Sequence, residues 1–555
     1  MNGETKQFAS GEAPLSLRRY FQQDKPLWFA LLLSLVSGVI LALPFLRADF
    51  YLFAWFAFVP VLIAIESLKD DERKYFKVYF SGLMFGLVFY LCVAYWIVDF
   101  LVLFKRSTGL QGFLIAFGFW FFCAQLPAAL FVVFAWVKRQ NIIHELILFP
   151  VLVITFYTAF PGVLSSQLGA GQSQFKIAIQ AADIVGVQGL DGMLALVNIF
   201  IVCVLMGRVK RVASIVTCSL VILWFSYGFF VYADWKSKVS SWDLLRIGIV
   251  QPNDIPSTRE SNAYMGYSRA FPPEMEMTER LADAGAEIVV WPESRYKNYF
   301  DSKDVQEAYV SKVKQLQTNL FFQDLENIRN FNDADSLEAK RVRYNSVAAI
   351  SREGQQLSAY RKNLRVIFGE YLPEIQALPF LSVWLREFLG DFNSGISAGH
   401  GHHNFSLEGK TFVPLICYET LFPNFVAEAV SENGRGGILL GLSNDNWFGE
   451  TIQTYQHLNA SKLRAVENRL PFIIALNGGP SLVVMPSGDV VFETDAFQAG
   501  AYLADIPYSK DSGGSFFSRH PRLFLYSIYG LAALIFLLAI VRKINRRLLE
   551  KNWKK

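Results

Sequence analysis

Charged residues are scarce in this 555-residue sequence, in which Asp, Glu, Lys and Arg make up 18% of the chain, against about 25% in ordinary soluble domains. Apolar residues make up 53% and aromatic residues 15%, which excludes a disordered chain and argues against a wholly soluble enzyme. The net charge of +4 gives no sign of a nucleic-acid-binding surface. Five cysteines are too few for a disulfide-stapled chain.

The apolar residues are concentrated in eight stretches without a charged residue, seven in the first 232 residues and one near the end. They cover residues 26–46, 50–65, 78–98, 110–137, 146–160, 192–207, 212–232 and 523–541. A helix needs about 20 apolar residues to cross the hydrocarbon core of a bilayer. We therefore predict eight transmembrane helices. A re-entrant or buried helix is the alternative for the three short stretches, 50–65, 146–160 and 192–207.

The loops between these stretches differ in charge. With the N-terminus in the cytoplasm, twenty Lys and Arg residues fall on the cytoplasmic side, and four fall in the short loops opposite: Arg47, Lys105, Arg106 and Lys176. Because basic residues are retained on the cytoplasmic side, we predict three parts. These are a membrane domain over 1–232, an extracytoplasmic domain over 233–521, and a last helix with a basic cytoplasmic tail over 522–555.

The cysteines follow the same division. Cys92, Cys123, Cys203 and Cys218 lie in apolar stretches, where they are expected to act as small apolar side chains. Cys417 is the single cysteine of the predicted outer domain. Outside the cytoplasm, a cysteine without a partner is either buried and inert or a free reactive thiol.

The outer domain alternates short β-rich runs with helical patterns, which is typical of a layered α/β domain. Predicted strands include 244–250, 286–291, 345–350, 356–360, 412–416, 437–442, 472–476 and 481–485. Predicted helices include 273–284, 305–321, 424–430 and 455–468.

Glu293, Lys362 and Cys417 each stand just beyond, or near the end of, a predicted strand. Sites of open α/β domains gather beyond the carboxyl ends of strands, and a helix that begins after a cysteine favours its thiolate. A carboxylate is suited to take the thiol proton, and an ammonium is suited to stabilise an oxyanion. Taken singly, each residue also fits an ordinary structural role, and spacing does not show that the three meet.

Three tracts around these residues resemble the Glu, Lys and Cys signatures of the nitrilase superfamily: Trp291-Pro292-Glu293-Ser294, Tyr360-Arg361-Lys362-Asn363 and Ile416-Cys417-Tyr418-Glu419. With its membrane segments, the sequence resembles more narrowly the bacterial apolipoprotein N-acyltransferase family. Supporting tracts are Tyr344-Asn345-Ser346, Phe368-Gly369-Glu370-Tyr371-Leu372-Pro373, Ser443-Asn444-Asp445-Asn446-Trp447-Phe448-Gly449 and Gln456-His457. The resemblance implies a membrane bundle of eight transmembrane helices joined to an extracytoplasmic, nitrilase-like αββα sandwich.

The resemblance also implies the chemistry. A phospholipid would donate a fatty acyl chain to Cys417 as a thioester, with Glu293 as general base and Lys362 supporting the oxyanion. The implied acceptor is the α-amino group of a diacylglyceryl-modified N-terminal cysteine on an apolipoprotein, at the bacterial inner membrane, without a cofactor, metal or nucleic acid. The residues implied around this set are Glu370, as a second acidic residue, and Tyr418, Glu419 and Trp447, as pocket lining.

Other functions stay open at this point. Water as the acceptor would make the chain a membrane-tethered amidohydrolase. A departure from the family pattern at Ile474-Ala475-Leu476 leaves open a divergent paralogue with another acyl acceptor. A catalytically inactive lipid-binding scaffold is a third alternative, against which Glu293, Lys362 and Cys417 argue.

Three further features need an interpretation. The run Gly399-His400-Gly401-His402-His403 is interpreted as a polar surface loop, with metal ligation as the alternative. His457 is interpreted as a structural hydrogen-bonding residue. Residues 378–389 carry apolar side chains at helical spacing, which predicts either a helix packed on its own domain or an amphipathic lid at the membrane.

Overall fold

The structure is a computed structural model that describes residues 24–68, 70–105, 107–139, 141–160, 167–256, 267–330, 340–372, 380, 383, 387, 395–432, 437–510 and 513–553. In this part of the chain, eight helices are long and apolar enough to cross a membrane. They span Leu27–Leu46, Ala48–Glu66, Lys74–Val93, Gly109–Val137, Ile142–Ala159, Ala182–Leu205, Arg211–Val239 and Leu523–Leu549. The prediction of eight membrane helices is therefore confirmed.

The individual helices are numbered along the chain. Before the α/β domain they are α1 (Leu27–Leu46), α2 (Val59–Glu66), α3 (Lys74–Val93), α4 (Trp96–Lys105), α5 (Gly109–Val137), α6 (Ile142–Ala159), α7 (Ala182–Leu205) and α8 (Arg211–Val239). A 3₁₀ helix, Ala48–Trp55, precedes α2 and completes the second span. The short amphipathic helix α4 was not predicted.

Two of the short apolar stretches are longer as helices because a buried acidic residue interrupts the apolar run. Asp191 lies inside α7, where its Oδ1 accepts a hydrogen bond of 2.6 Å from the Gly169 N–H. Glu145 lies in the first turn of α6 and pairs with Arg208 over 3.1 Å. A carboxylate bonded inside a helix bundle does not stop the helix, so a search for uncharged runs places the starts of these two helices too late.

One end of the helix bundle contacts the α/β domain. The side-chain amide of Gln456 donates to Val93 O over 2.8 Å, and that of Gln180 donates to Ser487 O over 2.9 Å. At the end of α8, the Tyr232 hydroxyl donates to Asp489 Oδ1 over 3.0 Å. The membrane-domain residues in these contacts lie near helix ends. The distribution of basic residues assigns all of these ends to the same side of the membrane.

The α/β domain is built from two six-stranded sheets. Its strands are β1 (Asp243–Gln251), β2 (Ile288–Val290), β3 (Asn319–Asn330), β4 (Lys340–Ile350), β5 (Tyr360–Arg361), β6 (Phe405–Leu407), β7 (Lys410–Ile416), β8 (Ile438–Ser443), β9 (Phe472–Leu476), β10 (Leu482–Val484), β11 (Val490–Glu493) and β12 (Gly500–Tyr508). The sheet orders are β12-β1-β2-β3-β4-β5 and β11-β10-β9-β8-β7-β6. Parallel pairs join β1 to β2, β2 to β3, β7 to β8 and β8 to β9.

Four helices of this domain cover the outer faces of the sheets: α9 (Pro273–Asp283), α10 (Lys303–Leu316), α11 (Pro423–Ser431) and α12 (Gln453–Asn468). The short helix α13 (Phe516–Arg519) and the membrane helix α14 (Leu523–Trp553) follow. Between the sheets, the Phe321 ring packs 5.5 Å from Phe405 and 4.9 Å from Phe412. Separate apolar clusters join α9 and α10 to the first sheet and α11 and α12 to the second. This arrangement is an αββα sandwich, as the resemblance implied.

The predicted helix over 305–321 is wrong at its carboxyl end. Helix α10 ends at Leu316, and Gln317 follows in the left-handed region at φ 52°. Strand β3 then begins at Asn319 and pairs in parallel with β2. Apolar residues that fit a helical period also fit a fully buried strand, so periodicity did not place this boundary.

Strands β6 and β12 were not predicted either. Strand β12 pairs antiparallel with β1 from Asp243–Tyr508 to Gln251–Gly500, but it lies at a sheet edge and its outer half is partly exposed. The predicted amphipathic segment, 378–389, lies outside the described residues except for Phe380, Val383 and Glu387.

Candidate active site

Cys417 is the first residue of a 3₁₀ turn, Cys417–Leu421, that directly follows β7. Its φ of 49° lies in the left-handed region, which costs a non-glycine residue about 1–3 kcal/mol. Bonds within the turn hold this conformation: the Thr420 hydroxyl donates to Cys417 O over 3.0 Å, and the Ile416 N–H donates to Glu419 Oε2 over 2.8 Å. The turn therefore presents the thiol at the carboxyl end of the second sheet.

Lys362 follows β5, the last strand of the first sheet, and its side chain is 1% exposed. Its ammonium donates to Glu370 Oε1 over 2.8 Å and interacts electrostatically with Cys417 and Glu293. Burial lowers the pKa of Lys362, but these three acidic groups together raise it above the ordinary lysine value. The side chain is therefore a buried cation at neutral pH.

Glu293 stands three residues after β2. Its Oε1 accepts a 2.9 Å hydrogen bond from Asn345 Nδ2, which also lies 3.3 Å from Glu370 Oε1. Burial raises the pKa of Glu293, and the charge of Glu370 adds to this effect, whereas Lys362 opposes it. A carboxylate with a raised pKa is a stronger base, which suits it to accept a thiol proton.

The Cys417 thiol is the third member of this group. Burial raises its pKa first of all, the Glu293 charge raises it further, and Lys362 lowers it. The thiol therefore rests protonated and depends on a base and a cation beside it to react. The structure brings Glu293, Lys362 and Cys417 together, which spacing alone could not show.

Glu419 is completely buried next to the group formed by Glu293, Lys362 and Cys417. Its Oε1 accepts from the Tyr360 hydroxyl over 2.8 Å and from the Asn363 N–H over 2.7 Å, and Oε2 accepts from Ile416. Burial raises the pKa of Glu419 to about 7, against the lowering effect of these donors. The structure thus places Glu419 as a tie between the segments that carry Lys362 and Cys417.

Aromatic side chains lie in the two turns that follow β7 and β8. Tyr418 is buried, and its ring packs 4.8 Å from Phe422. Trp447 is half-buried in the turn Asp445–Phe448 after β8. Its neighbour Phe448 contacts the membrane domain. The centroids of the Phe448 ring and the Trp96 ring of α4 lie 5.0 Å apart.

The histidine-rich loop packs against apolar rings. His402 lies 4.7 Å from the Phe425 ring, and His403 lies 5.6 Å from the Phe405 ring. Within the ranges that the structure describes, no group of three or more His, Cys, Asp or Glu side chains is arranged to hold a metal ion.

Two family models match consecutive parts of the chain. The apolipoprotein N-acyltransferase N-terminal domain matches residues 37–200, and the carbon-nitrogen hydrolase model matches residues 268–510. The chain belongs to the apolipoprotein N-acyltransferase family. The first match falls on the membrane helices and the second on the domain that holds Glu293, Lys362 and Cys417.

Two individual family members match over nearly the whole chain, and a third matches over about half of it. An apolipoprotein N-acyltransferase from Geobacter metallireducens is 28% identical over 541 residues, which are 92% of this chain and 95% of that protein. One from Chlorobaculum tepidum is 25% identical over 545 residues, 92% of this chain and 96% of its own. One from Rhodopseudomonas palustris is 30% identical over 275 residues, 48% of each chain.

The sequence analysis assigned no role to several buried polar residues that lie close to Glu293, Lys362 and Cys417. Asn345 bridges Glu293 and Glu370, although its tract was recognised only as a supporting motif. Ser443 ends β8 and Asp445 follows it, and both side chains interact with Cys417. A polar run placed directly after a buried strand was the signal that could have found them.

Proposed function

We propose that this chain transfers a fatty acyl chain from a membrane phospholipid to the α-amino group of the N-terminal diacylglyceryl-cysteine of an apolipoprotein, through a thioester on Cys417. The observation that carries this proposal is the buried ammonium of Lys362 among Glu370, Glu293 and Cys417. Two lipid substrates also suit a thiol site that lies against membrane helices.

In the first half of the reaction, Glu293 takes the proton of Cys417, and the thiolate attacks the ester carbonyl of the phospholipid. The Lys362 ammonium stabilises the oxyanion that develops. When the tetrahedral intermediate collapses, the lysophospholipid alkoxide leaves and receives the proton from Glu293. The acyl chain then remains on sulfur as a thioester.

In the second half, the α-amino group of the lipoprotein attacks the thioester carbonyl. Glu293 accepts the amine proton and returns it to the departing thiolate, while Lys362 again stabilises the oxyanion. Glu370 keeps the ammonium in place through its 2.8 Å hydrogen bond. Tyr418 and Trp447 are proposed as pocket lining. Glu419 is proposed as the residue that fixes the positions of the segments that carry Lys362 and Cys417.

The chain is a multi-pass membrane protein, and we assign it to the bacterial inner membrane with the α/β domain outside the cytoplasm. The distribution of twenty basic residues against four supports this orientation. The proposed division into 1–232, 233–521 and 522–555 follows the same reasoning. A reporter enzyme that is active only outside the cytoplasm should be active when fused after Ser241, and activity of a cytoplasm-only reporter there would contradict the orientation.

The activity test uses the purified full-length chain in detergent micelles with phospholipid and a diacylated lipopeptide. Mass spectrometry of the peptide should show the gain of one acyl chain on its α-amino group, with lysophospholipid formed in equal amount. The Cys417→Ala variant is the control and should give neither product. Release of free fatty acid with an unmodified peptide would instead identify a hydrolase.

A further inference from the structure

Behind Cys417 lies a buried chain of polar side chains that the acyl-transfer scheme does not use. His457 Nδ1, on α12, lies 2.9 Å from both carboxylate oxygens of Asp445, and His457 Nε2 lies 2.9 Å from Thr420 Oγ1. Thr420 Oγ1 donates in turn to Cys417 O over 3.0 Å. Helix α12 and the turns after β7 and β8 therefore meet at one imidazole.

The hydrogen-bond directions determine how this imidazole is protonated. A carboxylate only accepts, so His457 Nδ1 must carry a proton toward Asp445. Thr420 has one hydroxyl proton and donates it to Cys417 O, so it accepts from His457 Nε2, which must also carry a proton. The Ser461 hydroxyl, 2.7 Å from Thr420 Oγ1, is the second donor to that oxygen. With both nitrogens protonated, His457 is a cation paired with Asp445.

Charge interactions agree with this protonation state. Burial lowers the pKa of His457, but the charge of Asp445 and its hydrogen bond raise it above the ordinary value. Two further groups act on the imidazole: the backbone carbonyl of Cys417 accepts a hydrogen bond and raises its pKa, whereas the charge of Lys362, beyond β5, lowers it. Helix α7 also packs on α12, but its acidic residues are bound elsewhere, since Asp183 pairs with Arg469 and Asp191 accepts from Gly169.

Asp445 also faces the reacting groups. The Ser443 hydroxyl donates to Asp445 Oδ1 over 3.1 Å and hydrogen-bonds with the Cys417 side chain. Next to the larger effect of burial, the charge of Asp445 contributes to the raised pKa of both Cys417 and Glu293. An uncompensated carboxylate at this position would therefore oppose formation of the thiolate.

We propose that His457 is a positioning residue whose positive charge compensates that of Asp445, so that the carboxylate holds the nucleophile turn without suppressing the Cys417 thiolate. The inference rests on the proposed function only in that the reaction needs a thiolate. The charge balance itself applies to any reaction of this sulfur, so it can be measured without a lipid substrate.

The experiment measures alkylation of Cys417 by iodoacetamide against pH in the full-length chain, by peptide mass spectrometry. His457→Gln leaves Asp445 uncompensated, and we expect alkylation about tenfold slower at pH 7, which corresponds to a rise of about one unit in the thiol pKa. Asp445→Asn should stay within about twofold of the unmodified chain, because the imidazole then loses its proton and no net charge remains. The double variant, His457→Gln with Asp445→Asn, should likewise stay within about twofold.

The matched control is Ser461→Ala, which removes an uncharged donor from the same Thr420 hydroxyl and should change the rate less than twofold. Equal slowing in all three His457 and Asp445 variants would show a packing role alone and overturn the proposal, as would unchanged alkylation in His457→Gln. If His457→Gln does not fold, His457→Asn, which keeps a donor toward Asp445, takes its place in the comparison. A chain that alkylates as expected but transfers no acyl group would contradict the proposed function and leave this inference standing.

Discussion

The Tyr360 hydroxyl donates a 2.8 Å hydrogen bond to Glu419 Oε1, and this bond joins the two sheets beside the site. Tyr360 belongs to β5 and lies two residues before Lys362, whereas Glu419 lies two residues after Cys417. The ammonium and the thiol come from different sheets, so the distance between them depends on contacts of this kind. One buried carboxylate thus fixes the position of the Lys362 segment relative to the Cys417 segment.

Glu419→Gln should lower both stability and activity. A glutamine side chain has one oxygen and one NH₂ group, so its NH₂ must face N–H donors on one side, either Ile416 or Asn363. Leaving such buried donors unsatisfied costs about 1–3 kcal/mol. Thermal unfolding should shift to lower temperature, and thioester formation should slow. The control Glu353→Gln, at an exposed turn, should change neither the unfolding temperature nor the rate. An unchanged unfolding temperature and rate in Glu419→Gln would contradict the role of Glu419 in joining the two sheets.

Glu293 sets an acid limit on the first half-reaction. Burial raises its pKa, so the base is lost as pH falls through a value above the ordinary one of about 4.3. The rate of thioester formation should therefore decline on acidification earlier than an exposed carboxylate would predict. Glu293→Gln should slow thioester formation about 10²–10⁴-fold and abolish this decline at acid pH. If the decline persists in the variant, another group causes it.

Lys362→Met should slow acyl transfer about 10²–10³-fold, because the oxyanion loses its cation. The same change leaves Glu370 without its ammonium partner, so the thiol faces uncompensated negative charge and its pKa should rise. Turnover and alkylation of Cys417 are the two measurements. Lys238→Met, which breaks an exposed ion pair with Asp234, is the control and should leave both unchanged.

The acyl-enzyme should be isolable when no acceptor is present. Protein given phospholipid alone should gain the mass of one acyl chain at Cys417, and hydroxylamine at neutral pH should remove it. Cys417→Ser keeps the shape but has a far less acidic group, so little or no turnover is expected. Transfer at the normal rate by Cys417→Ala would exclude the thiol mechanism.

Sequence reasoning named the candidate site residues but not the contacts that join them. Glu293, Lys362 and Cys417 were singled out because each follows a strand and sits in a recognisable tract. Their convergence depends on how the two sheets face each other, which is decided by contacts between segments about 55 to 125 residues apart and not by local pattern. Asn345 and Asp445 lie in polar tracts that the sequence does show, but their partners are distant in the chain, so the tracts alone did not give them a role.

The fold was predicted best where composition alone decides it. Eight apolar stretches identified the membrane helices, but the predicted starts of two of them came too late, at Asp191 and Glu145, because a buried, bonded carboxylate resembles a loop residue in a one-dimensional search. The first three residues of β3 were included in a predicted helix for a related reason. A buried strand lacks the alternation that marks a half-exposed one.

Arg469 is the clearest link between the α/β domain and the membrane helices. It follows α12, is 1% exposed, and donates to Asp183 Oδ2 at the start of α7 over 2.8 and 3.0 Å. It also donates to Gln180 Oε1 over 2.8 Å and to Pro486 O over 2.7 Å. The Tyr227 hydroxyl of α8 donates to Asp183 as well, over 2.9 Å. One guanidinium therefore joins three segments across the junction.

Removing this cation should weaken the attachment of the domain rather than the chemistry at sulfur. Arg469→Met leaves Asp183 buried without its partner, which costs about 3–5 kcal/mol, so thermal unfolding should shift strongly downward. Arg469→Lys keeps the charge but cannot make the forked contacts. Its unfolding temperature should therefore fall between those of the unmodified chain and Arg469→Met. Alkylation of Cys417 below the transition should stay near normal in both. Arg246→Met, which breaks an exposed pair with Asp505, is the control for loss of an arginine. An unfolding temperature equal to that of this control would show that the junction is held by apolar packing instead.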